Sequence, residues 1–253
     1  MSCMKRTVPV GRAKSRAEIE AFGLEPGFRI NRKYEVLSLL GSGWEGEVYK
    51  IVEVRTGIER AAKLFFPQRN PRGRTARRYA KKLHKLRHCP VIIKYHTEET
   101  FSFRGMPIMA LISEYVEGEL LSDLLKALPG RRLSPFEAVH LLYALVRGIE
   151  QIHQQGEYHG DLHLANIIVS RYGLTFDIKL LDLYHWEAPR RENKQQDIVD
   201  LIRVFYECLG GARHYARQPE AVKYIISGLK RSLILRKFRS MGQLRKHLET
   251  MQW

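Results

Sequence analysis

The sequence predicts an α+β protein of two lobes, with an antiparallel sheet in the first half and helices in the second. Three observations support this. Between Tyr34 and Val116 the apolar residues fall in short runs of β-branched and aromatic type, separated by Gly-containing turns. After Val116 they recur at helical spacing. The change falls near residues 114–118, and a cleft between two such halves is a natural place for a ligand. A chain of 253 residues that is 44% hydrophobic can fill the core of one large domain or two small lobes.

Residues 1–30 read as a basic extension. Within it "SRAEIEAFG" predicts a short helix, with Ser15 and Glu18 as a capping box and Gly23 as its stop. Residues 31–116 make the first lobe. "YEVLSLL", "EVYKIVEV" and "ERAAKLFF" predict three strands, joined by a Gly-rich turn and by Thr56-Gly57. Segment 71–88 predicts a helix, with Leu83 and Leu86 at helical spacing. "VIIKYHTEETFSF" and "PIMALISEYV" predict two more strands around Arg104-Gly105.

Residues 117–253 make the second lobe. "GELLSDLLKAL" predicts a helix stopped by Pro129-Gly130. In "LSPFEAVHLLYALVRGIEQIHQQG" Ser134 is the cap, Pro135 takes the first position, Glu137 completes the box and Gly156 closes the helix. Val139, Leu142, Val146 and Ile149 form its buried stripe. A hairpin of "NIIVS" and "DIKLLDL" follows. Helices are then predicted in "QQDIVDLIRVFYECLGG", "PEAVKYIISGL" and "SMGQLRKHLETM".

The formal net charge is +16, which favours anionic partners. No Asp or Glu lies between Glu59 and Glu98. That interval holds Arg69, Arg72, Arg74, Arg77, Arg78, Lys81, Lys82, Lys85 and Arg87. Such one-sided charge predicts a docking face over residues 69–87 for an acidic protein or nucleic acid; the plainer alternative is a solvated surface. Three cysteines, Cys3, Cys89 and Cys208, with no short spacing, argue against a disulfide framework or a zinc module and point to a reducing compartment. The first residues lack the apolar core of a signal peptide, and no apolar run is long enough to span a membrane. A cytoplasmic protein is the expectation.

Four constellations carry chemistry. In "LLGSGWEGEVYK", Gly41, Gly43 and Gly46 lie between two strands, where glycine lets backbone N–H groups approach phosphate closely. A strand rather than a helix follows them, which excludes a dinucleotide-binding turn. Lys63 in "RAAKLFF" is either a strand-edge lysine or a point charge for phosphate oxygens. "YHGDLHLANIIV" alternates His159, Asp161 and His163, as a metal site would, but no further Cys/His cluster supports zinc. Phosphoryl transfer instead needs a carboxylate to orient a hydroxyl and an oxygen ligand for Mg²⁺ soon after it; Asp161 and Asn166 fit. Asp182 closes the hairpin begun beside Asn166 and offers the carboxylate oxygen that Mg²⁺ prefers.

In their order and spacing these pieces resemble the protein-kinase superfamily over about residues 32–250. Gly41-Ser42-Gly43-Trp44-Glu45-Gly46-Glu47-Val48 looks like the Gly-rich loop, and Ala61-Ala62-Lys63 like the lysine strand. His159-Gly160-Asp161 through Asn166 looks like the catalytic loop, and Asp182-Leu183-Tyr184 like the metal-binding Asp-Phe-Gly. "SEYVEGELLSDLL" looks like the hinge, with Ser113 at the gatekeeper position and Glu114 and Val116 beside the nucleotide. Asp197 resembles the helix aspartate that braces the catalytic loop. The resemblance implies a bilobal protein-kinase-like fold with ATP and Mg²⁺ in the cleft. Val48 and Ala61 would flank adenine, with Ile168 below it. Lys63 would hold the α/β-phosphates, Asp161 would orient the acceptor hydroxyl, and Asn166 and Asp182 would hold metal.

The chain departs from the family pattern in four places. No acid lies between Arg60 and Thr97, so the helix glutamate that pairs with the strand lysine is missing and Tyr79 takes its place. Lys63 then needs Glu47, Asp182 or a residue of a second protein. Gly160 replaces the arginine that receives an activation-loop phosphate, and only a short segment runs from Asp182 to Asp197. Both imply a kinase without activation-loop phosphoregulation. "HGDLH" is closer to aminoglycoside and choline phosphotransferases and to RIO-type and ubiquinone-linked kinases. The first expectation is therefore an atypical Ser/Thr protein kinase acting on a protein substrate. The alternatives are a kinase of a small hydroxyl acceptor, such as a sugar or lipid head group, and a nucleotide-binding pseudokinase scaffold. An open groove beside Asp161 would favour protein, and a Lys63 without a carboxylate would favour the scaffold.

Overall fold

The computed structural model describes residues 18–173 and 175–252. Five expected strands form one antiparallel sheet with an added short strand. In chain order these are β1 (Arg29–Ile30), β2 (Tyr34–Ser42), β3 (Gly46–Glu53) and β4 (Glu59–Phe65), then helix α1 (Arg74–Lys85), β5 (Tyr95–Phe103) and β6 (Met106–Glu114). The sheet order is β1-β2-β3-β4-β6-β5. Period-two alternation divides its faces. Tyr49, Ile51, Ala62, Leu64, Ala110 and Ile112 point to one side and build a small core with Phe66, Phe101 and Ile108. Their neighbours Val48, Ala61 and Lys63 point to the other side, where Val48 pairs with Lys63 and Lys63 with Leu111.

Two expectations change here. Ser15 of the expected N-terminal capping box lies outside the described residues, and Glu18–Gly23 are not helical. Instead Ile19, Phe22 and Leu24 are buried in the sheet's core, Phe22 stacks on Phe66 at 5.2 Å, and β1 pairs with β2. Three apolar side chains gain more from this burial than an isolated short helix gains from its hydrogen bonds. From Ile19 onward the segment expected as an extension is therefore part of the lobe's core.

The second lobe contains β7 (Glu119–Leu120), α2 (Leu121–Ala127), α3 (Pro135–Gln154), β8 (Ile167–Tyr172), β9 (Thr175–Leu180), α4 (Arg191–Cys208), α5 (Ala212–Tyr215), α6 (Glu220–Ile226), α7 (Arg231–Lys237) and α8 (Met241–Thr250). The start of "GELLSDLLKAL" is strand rather than helix, because Glu119 and Leu120 pair with Val169 and Ile168. Helix α3 begins at the expected capping box: Ser134 accepts from the Glu137 N–H, and Glu137 accepts from the Ser134 N–H. Such a cap is worth about 1 kcal/mol. Its buried stripe includes Val139, Leu142, Val146 and Ile149, packed against α4 and α8.

Helix α1 belongs to both lobes. Tyr79, Leu83 and Leu86 share one continuous core with Leu111 of β6 and with Ile149, Leu162 and Leu180 of the second lobe. Leu180 also donates its N–H to Val91 O at 2.7 Å. The chain after α1 is thus sewn to the hairpin that ends at Asp182. Cys89 and Cys208 are buried free thiols, and among the described residues no helix is long and apolar enough to cross a membrane.

Candidate active site

The hairpin register explains how the metal-ligand candidates meet. Ile167 pairs with Leu180, and Leu181 donates its N–H to Asn166 O at 2.9 Å, so Asn166 and Asp182 sit side by side at the hairpin's open end. Asp182 adopts φ +50°, a left-handed conformation that costs a non-glycine residue about 1–3 kcal/mol and persists where surrounding structure imposes it. It turns the carboxylate to Lys63, whose Nζ lies 2.7 Å from Asp182 Oδ1.

Lys63 has a second carboxylate, Glu45 Oε2, at 3.1 Å. Glu47, the sequence's first candidate, is not the partner. It stands opposite Leu64 on the core face of the sheet, where it accepts from the Tyr49 hydroxyl and from the Phe22 N–H. Glu45, in the Gly-rich turn, supplies that carboxylate instead, with its side chain mostly buried. It also lies 3.4 Å from Nε2 of the buried His185, whose ring packs between Tyr79 and Trp186. Tyr79 occupies the expected place, its ring centroid 4.7 Å from Lys63 Nζ. Burial pulls the Lys63 pKa down, but Asp182, Tyr79 and Glu45 outweigh it and the lysine is held above its ordinary value. Burial likewise disfavours charge on Asp182, and Lys63 overrides it, leaving the carboxyl below its usual range.

The catalytic-loop candidate is braced from beneath. Asp197 of α4 is fully buried and accepts the N–H groups of His159 and Gly160, each at 2.8 Å, while His153 Nε2 lies 2.8 Å from the same carboxylate. His159 is buried and its pKa falls to about 4, chiefly from burial. It is neutral at pH 7, and its Nδ1 accepts the Asp161 N–H at 3.2 Å. The ring thus braces the loop through Nδ1, and among the described residues no three His, Cys, Asp or Glu side chains form a metal cluster. Gly160 has φ +85°, and a Cβ there would lie 2.7 Å from both Tyr158 and Tyr184, so the residue admits no side chain. Asp161 is held by Asn166, whose Nδ2 donates to Asp161 O at 2.9 Å and to Oδ2 at 3.1 Å. The Asp161 side chain is 56% exposed, with His163 Nε2 at 3.7 Å.

The residues fit ATP and Mg²⁺. Asn166 spends its amide N–H groups on Asp161, which leaves its carbonyl oxygen and the second oxygen of Asp182 as hard ligands. Gly41 and Gly43 have nothing within 4 Å of where a Cβ would stand, so the turn is open on that side, and the Gly43 N–H closes it by donating to Gly46 O at 2.9 Å; Gly46 is different, as its Cβ would meet Leu64 O at 1.8 Å. Val48, Ala61, Val116 and Ile168 are half-buried, as the lining of an open apolar cleft would be. The side chain of Glu114 turns away to Lys179 at 2.5 Å, so only its backbone faces the hinge.

A lysine on a six-stranded sheet, two oxygen-bearing side chains at the end of a hairpin and an exposed aspartate on a braced loop are thus gathered between two lobes. Residues 34–223 match the family model for the protein kinase domain, and the chain belongs to that family. It is 31% identical over 156 residues to the serine/threonine-protein kinase pkn2 of Myxococcus xanthus, covering 60% of this chain and 18% of that protein. It is 27% identical over 210 residues to the serine/threonine-protein kinase PrkC of Bacillus subtilis, covering 73% of this chain and 31% of that one. The chain therefore spans less than a third of the length of these relatives. The solved kinase domain of Mycobacterium tuberculosis PknI shares the fold, with a TM-score of 0.62 at 17% identity over 90% of this chain and 99% of that one.

Proposed function

We propose that the chain is an active Mg-ATP-dependent Ser/Thr protein kinase that works without activation-loop phosphorylation. The observation that carries this reading is Lys63, clasped by Asp182 and Glu45 although its helix offers no acid. A Lys63 without a carboxylate would have favoured the pseudokinase reading. Bound ATP supplies the phosphoryl group, and its metal neutralises the developing charge. Lys63 would hold the α/β-phosphates, Asn166 and Asp182 would hold metal, and Asp161 would accept a hydrogen bond from the acceptor hydroxyl and orient it. The open position of Asp161 favours a protein surface over an enclosed small acceptor. The face over residues 69–87 suits an anionic partner. Arg72, Arg74, Arg77, Arg78 and Lys81 are exposed and, among the described residues, have no carboxylate within ion-pair distance.

The test is purified protein with γ-labelled ATP, alone and with protein or small hydroxyl acceptors. Label on protein seryl or threonyl groups, abolished in Asp161→Ala while ATP binding persists, is the expected result. Label confined to a small acceptor would change the acceptor class. No label anywhere despite nucleotide binding would return the scaffold reading.

A further inference from the structure

Helix α1 carries a buried cation that the kinase reading leaves without a role. Lys82 is 7% exposed and lies on the helix's apolar stripe with Thr75, Ala76, Tyr79 and Leu83. A lysine is rarely buried unless its charge is matched. Its Nζ donates to Tyr158 O at 2.7 Å and to Tyr184 O, and sits 4.3 Å from the Tyr158 ring centroid. Tyr158 begins the loop that carries Asp161, and Tyr184 ends the turn that carries Asp182. The same two segments are joined by the Tyr184 N–H donating to His159 O at 2.8 Å.

We infer that Lys82 is a positioning residue for phosphoryl transfer: from α1 it clamps the Asp161 loop to the Asp182 turn. The inference rests on the kinase reading and adds a residue to it. Two carbonyls on separate segments converge on one ammonium, an arrangement that a lysine packed only for its stem would not require. Gly160 makes room for the clamp, because Tyr158 and Tyr184 fill the space a side chain would take. The helix is thus tied to the site by its own cation, while Lys63 draws its second carboxylate from the Gly-rich turn.

The groups around Lys82 are Glu157 at 3.7 Å, Asp197 of α4, Lys85 on the same helix, the neutral His159, and His185, whose pKa burial lowers. Burial lowers its pKa to about 8, against the opposing pull of Glu157 and then Asp197. The ammonium is therefore complete well below pH 8, half lost near that value and gone above it.

Lys82→Met in the full chain keeps the stem and removes the charge. Its kcat should fall about ten- to a hundredfold, the worth of charge-assisted hydrogen bonds, with the KM for ATP within about threefold. An unchanged kcat in a folded, ATP-binding variant overturns the inference. Hydrogen exchange on the same two proteins needs no turnover: the amides of Gly160 and Tyr184 should exchange faster in the variant, and unchanged exchange overturns the clamp. A wild type that phosphorylates nothing refutes the kinase reading alone, and exchange still decides the role of Lys82. If Lys82→Met fails to fold, Glu157→Gln replaces it. Loss of that carboxylate should move the alkaline limb of kcat below pH 8, and an absent or unmoved limb overturns the proposal.

Discussion

At the scale of single residues, the missing helix glutamate is replaced from an unexpected direction. Glu45 brings its carboxylate to Lys63 from the Gly-rich turn, so lysine placement and loop position become one event. The Lys63–Asp182 contact alone would leave the ammonium free to follow Asp182 when that carboxylate binds metal. Glu45→Gln should therefore lower kcat/KM for ATP by about tenfold, mostly through KM, because a charged partner of the phosphate-binding lysine is lost. Tyr79 offers a second-site check. Its ring lies 4.7 Å from Lys63 Nζ, close enough for a carboxylate there to reach the ammonium. Adding Tyr79→Glu to Glu45→Gln should recover most of the loss. Steady-state kinetics of the single and double variants decide it, and an unaffected Glu45→Gln enzyme would show that Asp182 suffices.

At the scale of elements, the three glycines of the turn have separate duties. Gly41 and Gly43 have room for a Cβ, whereas Gly46 lets β3 approach β4 so closely that a Cβ would strike Leu64 O at 1.8 Å. Gly46→Ala should cost about 1–3 kcal/mol or more of stability by forcing the strands apart, whereas Gly43→Ala should leave the melting temperature nearly unchanged. Thermal melting of the two variants side by side tests the division, and equal melting temperatures would refute it. This difference could not be read from "GSGWEGEVYK", because closeness to β4 is a property of the pair of strands. What could be read was local: the α3 capping box, the β8–β9 hairpin, and the order of Lys63, Asp161, Asn166 and Asp182. Helix α1 starts later than expected, at Arg74, because Arg72 and Gly73 take positive φ and kink the chain after Pro71. Helices α5 and α7 were not anticipated; each is short and has no side-chain cap, and α7 is held by the burial of Ile234. Glu45, Lys82 and His185 acquire roles only through tertiary contacts. Lys82 alone left a signal, a cation at a position where α1's spacing calls for an apolar side chain.

At the scale of the whole molecule, charge is the unresolved force. The chain carries +16, and α1 exposes Arg74, Arg77 and Lys81 at i, i+3 and i+7 on one face, none with a carboxylate in ion-pair distance among the described residues. Lys85, one turn further, is relieved by Glu157 at 2.6 Å. Like charges three or four residues apart destabilise a helix by tenths of a kcal/mol per pair, and a large net charge adds self-repulsion of the compact state. The helix nevertheless forms, because Ala76, Tyr79, Leu83 and Leu86 bury its other face in the core shared by both lobes. Its stability should then depend on screening. Raising NaCl from about 0.02 to 0.2 M shortens the Debye length from about 20 Å to about 7 Å, and the melting temperature of the wild type should rise by a few degrees. Replacing Arg74, Arg77 and Lys81 together by Gln should raise the low-salt melting temperature and flatten the salt response. An acidic polypeptide that neutralises this face should stabilise the wild type in the same way and leave the triple variant unmoved. Equal salt slopes in the two proteins would mean that the cations are already relieved by solvent, and the case for an anionic partner on α1 would fall with them.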